Sequence, residues 1–240
     1  MKFRHLLLLL ALQFKPASAS AATLQFGGHE WTVKSGFFGP GPNYWDDKNA
    51  FVDKDGAVHL KITQRDGKWY CAELNTTDRM GFGRYQFQTV GRIDQLDENV
   101  ILGLFNYPTP DVGPDGTHEI DIEFSHWGNP KANIGNYTIW APKPHTKPGA
   151  TTFPFTLTGD YTTHRFIWSA KKITLQSLHG HRDDDQSPII NWTYEPADPD
   201  NHIPQKSLRL HLNLWLFHGH PPHNGQPVEI ILKSFKFTPE

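Results

Sequence analysis

The sequence has few of the features that mark several common protein classes. Its 240 residues include one cysteine, Cys71, so an internal disulfide is impossible and packing must hold the fold. The 23 lysine and arginine residues do not exceed the 25 acidic residues, and the net charge of −2 predicts no nucleic-acid partner. No apolar run reaches the roughly 20 residues that cross a bilayer, so no membrane-spanning segment is expected.

The first 21 residues have their own composition. Lys2 and Arg4 precede an apolar run from Leu6 to Leu12, and small residues with Ala-x-Ala spacing follow up to Ala21. This order predicts a signal peptide over residues 1–21, with a short anchoring helix as the alternative. Residues 22–240 would then form a single domain, exported to the periplasm or the medium. We expect it to be a monomer.

Short apolar segments separated by turn signals such as "KDGA", "GPDG" and "HNGQP" dominate this domain. No long window has a helical period with capping residues. The pattern predicts an all-β fold, a β-jelly-roll sandwich of two antiparallel sheets. Besides the acidic segment below, strands are predicted at residues 57–64, 83–93, 100–107, 133–140, 164–170, 172–178, 189–194, 207–217 and 228–237.

The segment "GTHEIDIEFSHW" (116–127) places acids at alternate positions of a predicted strand. Glu119, Asp121 and Glu123 should share one face, while the residues between them enter the core. Glutamates four positions apart lie about 13 Å apart at Cα, and their arms can lean inward toward the roughly 5 Å carboxyl separation of a retaining glycosidase. Three crowded carboxyls cannot all ionise, so at least one pKa must rise. An ordinary acidic outer face is the alternative.

A metal site is a second interpretation of the same acids. His118 and the histidines of "HGHPPH" (218–223) could add ligands. However, His118 is predicted to alternate to the opposite face, and the His/Pro tract lacks a fixed ligand spacing. We therefore expect no catalytic metal and a polar loop at the cleft rim.

The segment "EIDIEF" resembles the Glu-x-Asp-x-Glu signature of glycoside hydrolase family 16, whose members are secreted jelly-roll endo-glycanases. The form without an inserted residue is similar to the lichenase and xyloglucan-enzyme branch. The resemblance implies that Glu119 is the nucleophile, Asp121 the helper acid and Glu123 the general acid/base. It also implies a concave substrate cleft.

Weaker likenesses follow in the family's order along residues 24–238. The segments 71–87, 103–107, 134–140 and 212–215 resemble family segments that contact sugar, and "HRFIW" (164–168) resembles a core strand, which makes Trp168 a core residue. The implied substrate-binding residues are Glu73, Phe105, Asn136 and Trp215. Independently, apolar sugar faces stack on aromatic rings. The candidates near loops or the acidic strand are Trp45, Trp127, Trp140 and Trp215, and core packing is the alternative for each of them.

These observations predict a secreted, retaining endo-glycosidase acting on a β-linked polysaccharide, preferably a β-1,3-1,4-glucan. Other β-glucans, xyloglucan and marine galactans remain open as substrates, and transglycosylation remains open as an activity. A non-catalytic carbohydrate-binding module is the alternative from another class. We expect no cofactor, while a structural calcium ion on the convex side stays open.

Overall fold

The computed structural model describes residues 21–240, and about half of them lie in β-strands. One short helix, α1 (Pro199–His202), and three single turns of 3-10 helix interrupt the strands. The strands are β1 (Thr23–Phe26), β2 (His29–Val33), β3 (Gly36–Phe38), β4 (Asn43–Trp45), β5 (Ala50–Val52), β6 (Val58–Arg65), β7 (Lys68–Thr76), β8 (Gly83–Val90), β9 (Val100–Tyr107), β10 (Glu119–Phe124), β11 (Gly135–Trp140), β12 (Gly149–Phe153), β13 (Tyr161–Trp168), β14 (Ile173–His179), β15 (Pro188–Tyr194), β16 (Arg209–Leu216) and β17 (Val228–Pro239).

The strands pack as two antiparallel sheets. The front sheet has the order β1-β2-β7-β16-β9-β10-β11-β12. The back sheet has the order β5-β6-β17-β8-β13-β14-β15. This confirms the predicted all-β jelly-roll sandwich.

Strand β7 belongs to both layers. Its first residues pair with β6 in a hairpin and with β4 in parallel. Strand β3 in turn pairs with β4. Its later residues pair with β2 and β16 in the front sheet. The consecutive residues 71–74 are therefore buried on both faces.

The core lies between the sheets and takes the apolar face of each strand. Ile120, Ile122 and Phe124 of β10 point into it and are fully buried. Trp168 is also buried, and its Nε1–H donates to the carbonyl of Pro204 at 2.8 Å. The prediction that Trp168 is a core residue is confirmed.

All nine strands predicted besides the acidic segment are present, but seven strands were not predicted. The missed strands are β1 to β5, β7 and β12. Strands of three to five residues carry little periodicity, and β7 loses its alternation because both of its faces are covered where it changes layer.

Residues 1–20 of the predicted signal peptide lie outside the described residues. Between residue 21 and the last residue, none of the helices is both apolar and long enough to cross a bilayer.

Candidate active site

A cleft of about 690 Å³ lies on the outer face of the front sheet. It crosses five neighbouring strands, β7, β16, β9, β10 and β11. Residues outside these strands complete its walls: Lys34, Gly39, Pro40, Asp115, Gly116 and Trp127. Its lining residues are Lys34, Gly39, Pro40, Glu73, Phe105, Tyr107, Asp115, Gly116, Glu119, Asp121, Glu123, Trp127, Trp140, His211, Asn213 and Trp215.

The three acids of β10 enter this cleft together. Strand alternation turns Glu119, Asp121 and Glu123 outward, because the residues between them are buried in the core. Asp121 lies deepest, with 3% of its surface exposed, and both glutamates are partly exposed. Trp140, opposite Glu119 on β11, donates its Nε1–H to Asp121 Oδ2 at 2.9 Å. The middle acid is therefore anchored, and the outer two remain accessible.

Burial is the main reason that the pKa of each acid is raised, since a carboxylate withdrawn from water is disfavoured. Repulsion within the trio adds to the effect. The pKa of Glu119 is raised to about 8, by burial and then by the charge of Glu123. The pKa of Asp121 and that of Glu123 lie well above the ordinary values for the same reasons.

The side-chain interaction between Glu119 and Asp121 shifts the pKa values of these two acids in opposite directions. It lowers the pKa of Glu119 and raises the pKa of Asp121, as expected when a protonated Asp121 donates to an ionised Glu119. Only burial and the charge of Asp121 act on the pKa of Glu123, and both raise it. Of the two outer glutamates, only Glu119 thus has a neighbour that opposes the rise of its pKa.

Gly103 leaves the cleft floor open beside Glu123. On β9 this residue lies directly between Glu123 of β10 and Asn213 of β16. A Cβ added to Gly103 would lie 2.5 Å from Asn213 Oδ1. Asn213 is 3% exposed, and its Oδ1 has no hydrogen-bond partner among residues 21–240. A substrate hydroxyl entering the cleft could supply that partner.

Glu73 occupies the β7 end of the cleft within a group of charged residues. One oxygen accepts from Lys34 Nζ at 2.8 Å, and the other contacts His211 Nδ1 at 3.1 Å. Burial raises the pKa of Glu73, but the hydrogen bond and charge of His211, together with Lys34, outweigh it and lower the pKa overall. This acid is held ionised, in contrast to the β10 trio.

Most of the predicted substrate-binding residues meet in the cleft. Glu73, Phe105, Trp127, Trp140 and Trp215 all line it. Trp127 has a left-handed backbone (φ 53°), and its ring packs against Trp215 with 6.3 Å between centroids.

Two predicted sugar-contacting residues are not in the cleft lining. Asn136 pairs with Glu123 across the sheet, but its amide donates to the backbone carbonyls of Ser125 and Ile134, both at 3.0 Å. Trp45 is buried, and its Nε1–H donates to the carbonyl of Phe38. Trp45, a stacking candidate for which core packing was the alternative, lies in the core, with Lys34 Nζ 4.2 Å above its ring.

Eight residues of the cleft lining were not predicted from the sequence: Lys34, Gly39, Pro40, Tyr107, Asp115, Gly116, His211 and Asn213. His211 and Asn213 alternate with Trp215 in "HLNLW", a signal that could have been followed from the tryptophan. Tyr107 alternates with Phe105 in the same way, and its hydroxyl donates to Asp115 at 2.8 Å. Lys34 comes from a loop far away in sequence and had no signal.

The histidines considered as metal ligands do not line the cleft. His118 precedes β10 in a left-handed conformation (φ 53°), so strand alternation does not govern it, and Nδ1 lies 3.0 Å from Thr117 Oγ1. In the described part of the chain, no group of three or more ligand-type side chains is arranged to hold a metal ion.

Solved structures with this architecture are glucanases and related proteins. The Bacillus licheniformis β-glucanase superposes with a TM-score of 0.64 at 18% identity, over 93% of this chain and 100% of that one. A Bacteroides ovatus family 16 glycoside hydrolase, from a mixed-linkage glucan utilisation locus and in complex with a G4G4G3G product, gives 0.63 at 15% identity, over 87% and 94%. A Mycobacterium tuberculosis protein described as an immunostimulatory antigen and pseudo β-1,3-glucanase gives 0.65 at 18% identity, over 88% and 91%.

No protein-family model and no curated protein matches the sequence. The similarity is therefore one of structure, and it extends over most of the chain. The resemblance first indicated by the Glu-x-Asp-x-Glu motif is confirmed at the level of the fold: this chain has the fold of the β-glucanases of glycoside hydrolase family 16.

Proposed function

We propose that this protein is a retaining endo-glycoside hydrolase that acts, after export, on a β-linked glucan with 1,3 and 1,4 linkages. The observation that carries the proposal is the position of three carboxyls in one open cleft, with an anchored Asp121 between two accessible glutamates. Two carboxyls with different protonation states are what retaining hydrolysis needs. The mixed-linkage preference rests on the motif and on the glucanases that share the fold.

In the first step, a Glu119 carboxylate oxygen attacks the anomeric carbon. The glycosidic C–O bond breaks, and Glu123 gives its proton to the departing oxygen. In the second step, Glu123 takes a proton from water, whose oxygen displaces Glu119 from the sugar. The interaction with Asp121 lowers the pKa of Glu119 and so opposes the effect of burial on its ionisation before attack.

Reducing-sugar release from barley β-glucan, laminarin, xyloglucan and agarose tests the proposal, with Glu119→Gln as the control for contaminating activity. Release from barley glucan that Glu119→Gln abolishes supports it. Release of reducing sugar from only one of the other polysaccharides would change the proposed substrate but leave the proposed mechanism unchanged. Product analysis with and without acceptor sugars separates hydrolysis from transglycosylation.

A non-catalytic glycan-binding protein is the second candidate, because one protein with this fold is described as a pseudo β-1,3-glucanase. The raised pKa values of the acidic trio argue against it, since a binding surface gains nothing from carboxyls that repel one another. Glycan binding with no product from any polysaccharide would favour this candidate.

A further inference from the structure

Phe38 is one of the most exposed aromatic residues of the described chain, with 58% of its surface accessible, yet its ring is firmly supported. A Cβ added to Gly36 would lie 2.5 Å from a ring carbon of Phe38, so the ring packs across the bare backbone of Gly36. Gly36 therefore supports one side of the ring, and more than half of the side chain remains open to solvent.

The backbone beneath this ring is anchored by hydrogen bonds. Trp45 Nε1–H donates to the carbonyl of Phe38 at 2.9 Å, and Lys34 Nζ donates to that of Gly39 at 2.7 Å. The buried Asn43 donates to the carbonyl of Pro40 at 2.8 Å. The Phe38 side chain takes no part in these bonds, so its removal should leave the hairpin intact.

Phe38 lies next to one end of the cleft. Gly39 and Pro40, the next two residues, line the cleft at the end that carries Glu73. Strand pairing puts Phe38 on the same face of the β3–β4 hairpin as Trp45, whose ring lies under the cleft residue Lys34. Phe37 has nearly the same exposure, 54%, but points to the opposite face and packs on Tyr44.

A glycan lying in the cleft would cross the strands, because the lining residues come from five adjacent strands. From Glu73 on β7 to Glu123 on β10 there are three strand spacings, or roughly 14 Å. A chain that fills this distance and continues past Glu73 would reach the β3–β4 hairpin. Only longer substrates could do so.

We propose that Phe38 is a distal stacking platform for the glycan chain, which extends the binding cleft beyond its Glu73 end and gives the protein a preference for long chains. The inference rests on the proposed function. An exposed aromatic ring that is supported from one side suits the apolar face of a pyranose.

The test compares Phe38→Ala with the matched control Phe37→Ala, both in a Glu119→Gln background that prevents turnover. Calorimetry measures their affinities for a mixed-linkage trisaccharide and octasaccharide and for the laminarin equivalents. For the glucan that binds, we expect Phe38→Ala to reduce the octasaccharide-to-trisaccharide affinity ratio roughly tenfold, and Phe37→Ala to leave it unchanged. Thermal unfolding checks that both variants fold.

An unchanged ratio in Phe38→Ala would overturn the platform and leave the proposed function standing. Equal losses in the two variants would also overturn it, because they indicate a general hydrophobic contribution of the hairpin. Failure of the Glu119→Gln chain to bind any oligosaccharide would reject both proposals. A change of oligomeric state in Phe38→Ala, measured by sedimentation, would assign the ring to a contact between two copies instead.

Discussion

Trp140 Nε1–H donates to Asp121 Oδ2 at 2.9 Å, and this bond joins two neighbouring strands on the cleft floor. It is the anchor of the middle acid, whose other hydrogen bond goes to Glu119. The position of Asp121, and through it the ionisation of Glu119, depends on an indole nitrogen.

We expect Trp140→Phe to keep most of the ring and lose the hydrogen bond, and so to lower kcat about 5- to 10-fold, in line with ~1 kcal/mol for one such bond. KM should change less than kcat. A double-mutant cycle with Asp121→Asn isolates the coupling between the two side chains. Additive effects on kcat would show that the hydrogen bond does not matter for turnover.

Small nucleophiles distinguish the roles of the two glutamates. Glu119→Ala should lose activity, and added azide should restore it with an azide product of inverted configuration, because azide then attacks in place of the carboxylate. Glu123→Ala should lose about 10²- to 10⁴-fold on polysaccharide, the usual contribution of general acid–base catalysis. It should lose far less on an aryl glycoside with a good leaving group, and azide should give a product of retained configuration. If Glu119→Ala gave the retained product and Glu123→Ala the inverted one, the roles of the two glutamates would be exchanged.

The pH dependence of kcat/KM should have an acidic limb well above the ordinary Glu value of 4.5, toward pH 8, because the pKa of Glu119 is raised to about 8. Activity rises with pH as Glu119 ionises and falls at higher pH once Glu123 loses its proton. Initial rates across the pH range measure both limbs. The pH profile of the Trp140→Phe variant provides a comparison. An acidic limb near pH 4.5 in the wild type would contradict the prediction.

Glu123→Gln should make the protein more stable at neutral pH. Because the folded-state pKa of Glu123 is raised, the wild type is favoured below pH 4.5 and loses stability as pH rises from there through the folded-state pKa. A neutral amide avoids this loss, so we expect a gain on the order of 1–3 kcal/mol in the free energy of unfolding at pH 7. Urea denaturation at pH 4 and pH 7 measures it, with the exposed Glu195→Gln as control. A gain of equal size at both pH values would refute the electrostatic explanation.

Gly103→Ala should obstruct the floor of the cleft. Its Cβ would push against Asn213 Oδ1, 2.5 Å away, and narrow the space beside Glu123. We expect kcat/KM to fall at least tenfold while the melting temperature changes little, since the Asn213 side chain can rotate into the cleft. Gly159→Ala, where an added Cβ meets no atom within 4 Å, is the control. Normal kinetics in Gly103→Ala would show that the substrate does not approach this part of the floor.

The sequence was most informative where one strand carries the whole signal. The alternation of "EIDIEF" fixes which side chains share a face, so the common orientation of Glu119, Asp121 and Glu123 follows from β-geometry alone. The jelly roll follows from many short strands with turns between them. Crowding of like charges correctly predicted a raised pKa, although burial, which the sequence does not show, is the larger cause.

Residues that reach the cleft by tertiary contact could not be predicted. Lys34 meets Glu73 across 39 positions of sequence, and His211 meets it across 138. For the same reason the sequence could not decide between sugar stacking and core packing at Trp45, because burial of a tryptophan beside a loop depends on what that loop covers. Asn136 was placed on the correct strand, but its amide is occupied by backbone carbonyls that no sequence pattern reveals.

The membership of β7 in both sheets makes the two ends of the cleft mechanically different. The end with Glu73 is tied into the hydrogen-bond ladders of both layers, whereas the end with Trp140 adjoins β12, the last strand of the front sheet. Local opening costs less at a sheet edge than at a strand paired on both sides. Local opening of the cleft and release of the cleaved glycan should therefore begin at the end with Trp140, while the end with Glu73 stays rigid.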